Sequence, residues 1–201
     1  MNFLQSTLTA DQLFKSLSQE GVLVTPVLRP EARELLAIEA ETYHYTWAAP
    51  EMGLRRVKQR MAAVARLPQK SFFWELHAQF EAWLQAFAAA RPQEPFEQPF
   101  VLNTVRLQRY PPGEIGIEPH KDPSNLRNLI AIFMLKGSAT VGVCDDTDRT
   151  NLRTFEPKPG DLILLRAPGL FGRNYRPYHF VENITEERLV CTMCCKQSET
   201  D

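Results

Sequence analysis

Two histidines and one aspartate in the second half of the chain have the spacing of a metal-binding triad. His120 and Asp122 are two residues apart, so on an extended strand their side chains project to the same side. His179 is the only other histidine after residue 100. Two imidazoles and one carboxylate on a β-scaffold are the ligand set of a mononuclear non-haem iron(II) site that keeps open positions. The three residues therefore predict such a site.

An arginine follows the second histidine at the start of the next predicted strand. Arg188 lies nine residues after His179. A guanidinium group can hold a carboxylate through two parallel hydrogen bonds. The run 158–165, Lys-Pro-Gly-Asp-Leu-Ile-Leu-Leu, places a turn and a buried strand shortly before the histidine. A molecule that carries a carboxylate could therefore be held next to the metal.

The elements that must position these residues change character near residue 100. Before it, apolar residues at helical spacing predict helices, and after it period-2 and continuous apolar runs predict short strands. The helices are expected at 9–18 (capped by Thr7 or Thr9 and ended by Gly21), 30–47 and 71–90 (capped by Ser71), with a strand at 22–25. The later strands are expected at 101–110, 115–120, 128–135, 139–144, 153–156, 161–166, 178–183 and 188–196.

Strands this short and evenly spaced are typical of a barrel or jelly roll rather than a βαβ fold. The run 128–135 is apolar on both faces, so it is expected to be a central strand that the N-terminal helices cover. The fold class is therefore α+β. One domain is expected over 1–201, with a mainly helical support at 1–99 and a catalytic jelly-roll core at 100–196.

Composition excludes several function classes. The 201 residues carry a net charge of −1, which argues against a bulk electrostatic commitment to nucleic acid or to a membrane surface. No apolar run is long enough to cross a bilayer, and the first residues lack the pattern of a secretory signal. Three of the four cysteines crowd into one predicted strand (Cys191, Cys194 and Cys195), which is a poor disulfide framework. A cytoplasmic protein with reduced thiols is expected.

One segment, 54–66, is strongly basic and contains no acidic residue. Its apolar residues recur at i, i+3, i+7 and i+10, and they are Leu54, Val57, Met61 and Val64. This spacing favours an amphipathic helix with a solvated basic face. A lid over an anionic substrate and a nucleic-acid contact are the alternatives.

Several motifs of residues 101–196 together resemble the double-stranded β-helix core of the Fe(II)/2-oxoglutarate-dependent dioxygenases. The matching pieces are Arg-Tyr-Pro-Pro-Gly at 109–113, His120-x-Asp122, Pro-Gly-Asp-Leu-Ile-Leu-Leu at 159–165, His179 and Arg188. The stretch 19–24 followed by a helix also resembles the opening of many hydroxylases of this superfamily. The resemblance covers about half of the chain well and the first hundred residues loosely.

The resemblance implies a cofactor and a reaction. His120, Asp122 and His179 would bind Fe(II), 2-oxoglutarate would chelate the metal, and O2 would take the remaining position. Arg188 would pair with the distal carboxylate of 2-oxoglutarate, with Tyr110, Thr192 and Asn103 as candidates for the same cofactor pocket. Oxidative decarboxylation would then yield succinate and CO2 and oxidise a substrate.

Departures from the family pattern narrow the substrate class. Arg188-Leu189-Val190 replaces the Arg-x-Ser of many relatives, and the denser arginine pattern of the nucleic-acid demethylases is not reproduced. Asp122 disfavours the halide-binding variant of the site. Hydroxylation of a small molecule or an amino-acid side chain is therefore predicted. The alternatives are a nucleic-acid or protein demethylase or hydroxylase of the same superfamily, and a non-catalytic cupin-like metal-binding or sensory domain.

Three residues are candidates for substrate binding. Arg106 and Gln108 share the face of Tyr110, and a polar stripe pointing into a barrel is unusual unless it meets a ligand or water. Arg176 lies in the loop 167–177 before His179, which could close over a substrate or be an ordinary surface loop. His44 and His77 are expected to be structural. Cys191 and Cys194 are three apart on a strand, so they point to opposite faces and do not form a zinc half-site.

Overall fold

The computed structural model describes residues 1–198, and its three helices lie where the sequence predicts helices. α1 spans Ala10–Gln19, α2 spans Pro30–Glu41 and α3 spans Phe72–Ala89. Thr9 caps α1 in a capping box with Gln12, and the Ser71 hydroxyl accepts a hydrogen bond from the Phe73 amide at the start of α3. Pro30 occupies the first turn of α2, where its missing N–H costs nothing. α2 ends at Glu41, six residues before the predicted end.

Strands make up about half of the rest of the described chain. In chain order they are β1 (Val22–Pro26), β2 (Thr46–Trp47), β3 (Glu51–Met52), β4 (Val57–Lys58), β5 (Ala62–Val64), β6 (Thr104–Tyr110), β7 (Gly113–His120), β8 (Leu126–Cys144), β9 (Arg153–Phe155), β10 (Asp161–Arg166) and β11 (Tyr178–Lys196). A short 3-10 helix, Leu170–Gly172, lies in the loop before β11.

The main sheet has the strand order β1-β10-β8-β11-β6-β5-β2, and β3 and β4 form a separate hairpin. β7 also pairs with β11, and β9 with β8. Every one of these pairings is antiparallel. The chain is therefore a mixed α and β protein built mostly on antiparallel sheet.

β8 and β11 correct the prediction that each would be two separate strands. Each is a single strand of 19 residues that stays hydrogen-bonded through a bend. Gly137 bends β8 at a φ of +82°, and Asn183 bends β11 at a φ of +53°. The pairing register between the two strands shifts between Glu182 and Leu189. The polar and glycine residues that predicted interruptions therefore mark irregular positions inside continuous strands.

The glycine at the β8 bend is expected to be required for stability. A Cβ atom at Gly137 would overlap the backbone carbonyl of Glu187 on β11. We expect Gly137→Ala to lower the free energy of unfolding by about 2–4 kcal/mol, because backbone strain adds to overpacking. Gly53→Ala is the matched control, since Gly53 has a φ of +66° and open space around its Cβ position. Urea denaturation that gave equal losses for the two variants would contradict the overlap.

The main sheet has two faces with different partners. Its outer face packs against the helices, and the ring of Phe133 on β8 lies edge-on to Phe80 of α3 at 4.9 Å. Its inner face lines a second apolar cluster that contains Ile130 and Met134 of β8, Tyr110 of β6 and Val190 of β11. Side chains of one parity along these strands thus pack against the helices, and side chains of the other parity pack toward the interior of the sheet.

The basic segment 54–66 is not a helix, which corrects the prediction. β3 and β4 form a hairpin whose turn uses Gly53 and Arg56 at positive φ, and Leu54 at its tip is fully exposed. β5 continues the segment and pairs with β6 through Ala62 to Val64. Pairing with a distant strand therefore overrides the local helical spacing.

Two further sequence expectations concern the membrane and the thiols. Within residues 1–198, none of the helices has the length and apolar character needed to cross a bilayer. All four cysteines are buried and free, and they are Cys144, Cys191, Cys194 and Cys195.

Candidate metal centre

The three predicted metal ligands lie together where β7 ends and β11 begins. His120 is the last residue of β7, and its pairing partner in β11 is His179. Asp122 follows His120 by two residues and reaches both rings, with Oδ2 3.3 Å from His179 Nε2 and Oδ1 3.8 Å from His120 Nε2. The three ligand atoms lie within 4.8 Å of one another. Atoms bound to one ion at about 2.0–2.2 Å lie within about 4.4 Å of each other, so small shifts would suffice.

Backbone carbonyl groups orient the two imidazoles. His120 Nδ1 donates a hydrogen bond to the Glu118 carbonyl at 2.8 Å, which directs Nε2 toward Asp122. The ring of His179 bonds to the Pro177 carbonyl. Burial lowers the pKa of His179 to about 4, and the neighbouring His120 adds to this effect while Asp122 opposes it. His179 is therefore neutral at pH 7, as a metal ligand must be.

Arg188 is a buried cation without a carboxylate partner. Its side chain is 1% exposed and its Nε atom has no hydrogen-bond partner. No carboxylate among residues 1–198 lies within 4.0 Å of it. Burial lowers the pKa of Arg188, and the guanidinium carbon lies 5.0 Å from the ring centre of Tyr110, its pairing partner on β6. An unpaired buried charge raises the free energy of the folded protein, and an anionic ligand would offset this. The position is therefore suited to an anionic ligand.

The predicted cofactor residues separate into three positions. Tyr110 is buried on the inner face beside Arg188. Thr192 is on the same face four residues further along β11, and its hydroxyl donates to Gln108 Oε1 at 2.7 Å. Asn103 lies elsewhere: it hydrogen-bonds the backbone of Lys196, and it is seven residues, or about 23 Å, from Tyr110. The backbone contact at the sheet's end thus corrects its placement in the pocket.

The predicted substrate residues surround the same interior. Arg106 is the pairing partner of Thr192, and its Nε atom is buried without a hydrogen-bond partner. Gln108 donates from Nε2 to the sulfur of Met61 at 3.2 Å. Arg176 lines a small cleft together with Asp122 and His179, and its Nε atom is also buried and unpartnered. The loop before β11 therefore contributes Arg176 to the surroundings of the triad.

The β3–β4 hairpin forms a rim beside the triad. Sequence analysis favoured a helix for segment 54–66 and named a lid only among the alternatives. Arg55 at its turn donates a hydrogen bond to the hydroxyl of Tyr178 at 2.7 Å, and Tyr178 directly precedes His179. The ammonium group of Lys121 lies 4.6 Å from the same ring. The only sequence signal was the absence of acidic residues from 54–66, which does not reveal what the segment touches.

The remaining histidines and cysteines lie outside the triad. His44 is exposed, and His77 Nε2 bonds to the Leu102 carbonyl, so neither side chain joins the triad. Cys191 belongs to the cluster under the helices and Cys194 to the inner cluster, which confirms that they point to opposite faces. Burial raises the pKa of Cys194 to about 11, so this thiol stays protonated at neutral pH.

No protein-family model and no curated protein matches the chain. Solved structures do match it. A prolyl-4-hydroxylase from Pseudomonas putida superposes with a TM-score of 0.67 at 16% identity, covering 94% of this chain and 99% of that chain. A prolyl hydroxylase from Trichoplax adhaerens, solved in complex with a peptide fragment of the hypoxia inducible factor oxygen degradation domain, gives a TM-score of 0.63 at 9% identity, covering 93% and 88%.

A third match is an oxidoreductase of the 2OG-Fe(II) oxygenase family from Burkholderia pseudomallei. Its TM-score is 0.66 at 13% identity, and the match covers 97% of this chain and 96% of that chain. Each match covers most of both chains. The sequence identities are low, and the superpositions establish a shared fold. The chain has the same fold as these three proteins.

Proposed function

We propose that the protein is an Fe(II)- and 2-oxoglutarate-dependent dioxygenase that hydroxylates a small molecule or an amino-acid side chain. One observation carries the proposal: a buried, unpaired arginine, Arg188, shares β11 with a ligand of a two-histidine, one-carboxylate cluster. In a site that only binds a metal ion, a buried cation on the same strand would destabilise the protein without contributing to metal binding. A cosubstrate with a free carboxylate explains both features together.

The chemistry of the donor set fits Fe(II). Two neutral imidazoles and one carboxylate on one side of an ion leave positions open on the other side. His120, Asp122 and His179 would hold the metal, and bound iron(II) with 2-oxoglutarate and O2 would supply oxidative decarboxylation to succinate and CO2 coupled to oxidation of the substrate. The protein provides binding, orientation and exclusion of water.

The chain's own residues have separate tasks in this proposal. Arg188 would hold the distal carboxylate of 2-oxoglutarate, and the Tyr110 ring and hydroxyl would shape the same pocket. The apolar wall that Met134 and Val190 form on the inner face would keep water from the cosubstrate. Thr192 is bonded to Gln108, so both would contribute to the pocket wall further along β6 and β11.

The same proposal includes the finer features of the fold and location. Residues 100–196 would form a double-stranded β-helix, with the helices of 1–99 on its major sheet, in one cytoplasmic domain over 1–201. The long, bent β8 and β11 support this, because each could serve both halves of a double-stranded β-helix.

The neighbours favour an amino-acid side chain among the substrate classes. Two of them are prolyl hydroxylases, and one of these was solved with a peptide. An amino-acid side chain, free or within a peptide, is therefore the first class to test. Nucleic acid stays disfavoured by the net charge of −1.

The first test is wild-type turnover of 2-oxoglutarate with iron(II) and O2. Succinate release, even slow and without a substrate, is the expected result. In a parallel anaerobic sample, iron(II) with 2-oxoglutarate should give a weak visible charge-transfer band. A protein that holds iron but shows neither signal would instead support a metal-binding or sensory domain of the same fold.

A further inference from the structure

The interior contains a second unsatisfied arginine that the cosubstrate site does not use. Arg106 lies on the inner face of β6, and its backbone is four residues, or about 13 Å, along the strand from that of Tyr110. Its Nε atom is buried without a hydrogen-bond partner. No carboxylate of the described chain lies within 4.0 Å of it. A single dicarboxylate at Arg188 and the metal would therefore leave this cation unpaired.

A third unsatisfied arginine comes from the loop before β11. Arg176 lines the cleft beside Asp122 and His179, yet it lies more than 4.0 Å from the Asp122 carboxylate. The same cleft contains Ile130, whose pairing partner Cys194 lies two residues from Thr192 on the inner face of β11. Thr192 in turn pairs with Arg106 on β6. The strands that contain Ile130 and Arg106 are thus about two strand spacings, or 10 Å, apart, with Arg106 on the inner face of one strand and Arg176 in the cleft beside the other.

The charged side chains at the rim have the same sign as the arginines of the interior. Arg55 and Lys121 both contact Tyr178, the residue before His179. The acidic groups nearby are already paired: Glu118 lies 3.9 Å from Lys58, and Glu51 lies 2.6 Å from Arg56. In the proposed enzyme the metal ion would neutralise Asp122, and the charges of Arg55 and Lys121 would then favour the approach of an anion.

We infer that the substrate carries a carboxylate or a similar anionic group, which Arg106 and Arg176 bind beside the metal while Arg188 holds 2-oxoglutarate. This inference rests on the proposed function and names a substrate class within it. Among amino acids, it favours a free amino acid or an acidic residue over a neutral side chain within a peptide. The reacting carbon would be fixed at a short distance from the bound anion, so the arginines also determine which position is oxidised.

The test uses a pair of probes that differ in charge and little else. Fluoroacetate and fluoroacetamide are titrated by 19F NMR into the zinc(II)-loaded protein saturated with 2-oxoglutarate, so that the Arg188 site is filled and no turnover occurs. We expect fluoroacetate to bind roughly tenfold or more tightly than fluoroacetamide, because charge-assisted hydrogen bonds are the stronger ones. Arg106→Gln and Arg176→Gln should each remove most of this preference.

Matched control variants exist for both arginines. Arg109→Gln changes the outer face of the same strand, where Arg109 pairs with Glu41, and Arg173→Gln changes an exposed residue of the same loop. Both controls should keep the preference for fluoroacetate. Affinity for 2-oxoglutarate, measured in the same samples, should be unchanged in Arg106→Gln.

The outcomes separate the inference from the proposed function. Equal or undetectable binding of the two probes to the 2-oxoglutarate-saturated protein overturns the inference alone. A preference that survives both arginine variants also overturns it, since the metal would then hold the anion. If Arg106→Gln weakens 2-oxoglutarate instead, Arg106 belongs to the cosubstrate site and the inference is wrong. A wild type that does not bind 2-oxoglutarate refutes the proposed function, and the inference with it.

Discussion

Alanine at His120, Asp122 or His179 is expected to abolish succinate release, with turnover falling roughly a thousandfold or more, or about 4 kcal/mol of barrier. Each side chain supplies one of three ligand atoms that lie within 4.8 Å of one another. Two remaining ligands hold an ion more weakly and leave its open positions wrongly placed for the cosubstrate. Iron content after dialysis and succinate release should therefore fall together.

His44→Ala is the matched control, because His44 is exposed and far along the chain from the triad. It should keep both iron and turnover. A triad variant that retains stoichiometric iron and normal succinate release would show that the metal binds elsewhere. Circular dichroism of each variant distinguishes loss of the site from loss of the fold.

Arg188→Met is expected to raise the 2-oxoglutarate concentration required for half-maximal turnover by about 10–100-fold, the value of a charge-assisted pair. The same change should leave the free energy of unfolding of the metal-free protein unchanged or increase it. The reason is that Arg188 is 1% exposed without a carboxylate partner, so its charge destabilises the empty pocket. Methionine keeps an unbranched stem that reaches about as far as Nε, and it removes the charge.

The two readouts distinguish a cosubstrate-binding arginine from a structural one. A structural arginine would give a large loss of stability in urea denaturation and an unchanged 2-oxoglutarate requirement. Arg188→Lys should fall between wild type and Arg188→Met, because lysine keeps the charge and loses the fork. Arg109→Met, on the outer face of β6, should change neither the requirement nor the maximal rate.

The sequence predicted part of the candidate metal centre because the signal of that part is local. His120 and Asp122 share a side of the chain by spacing alone, and the helix caps at Thr9 and Ser71 are also local. The alternation along β6 likewise assigned Arg106, Gln108 and Tyr110 to one face. These features depend on periods of two or four residues, which the sequence displays directly.

The features that the sequence did not predict depend on distant partners. Leu54 and Val57 have helical spacing with Met61, but the pairing of Ala62–Val64 with β6 selects a strand, and Gly53 allows the tight turn. Asn103 was expected in one strand with Tyr110, but it lies just before β6, and the length of β6 separates the two residues by about 23 Å. A local sequence pattern does not show which strand a segment will pair with, or where a strand will begin.

β11 carries both His179 and Arg188 and pairs with β6, β7 and β8, which has a consequence for folding order. β11 follows all of these strands in the chain, so it is synthesised after every partner. Its contacts join residues as far apart as Thr104 and Cys194, and contacts of such long range form slowly. The earlier strands can therefore gather only His120 and Asp122. In the proposed enzyme, the third ligand, the cosubstrate cation and the centre of the sheet arrive with the same segment. An intermediate without docked β11 would therefore neither complete the iron site nor consume 2-oxoglutarate.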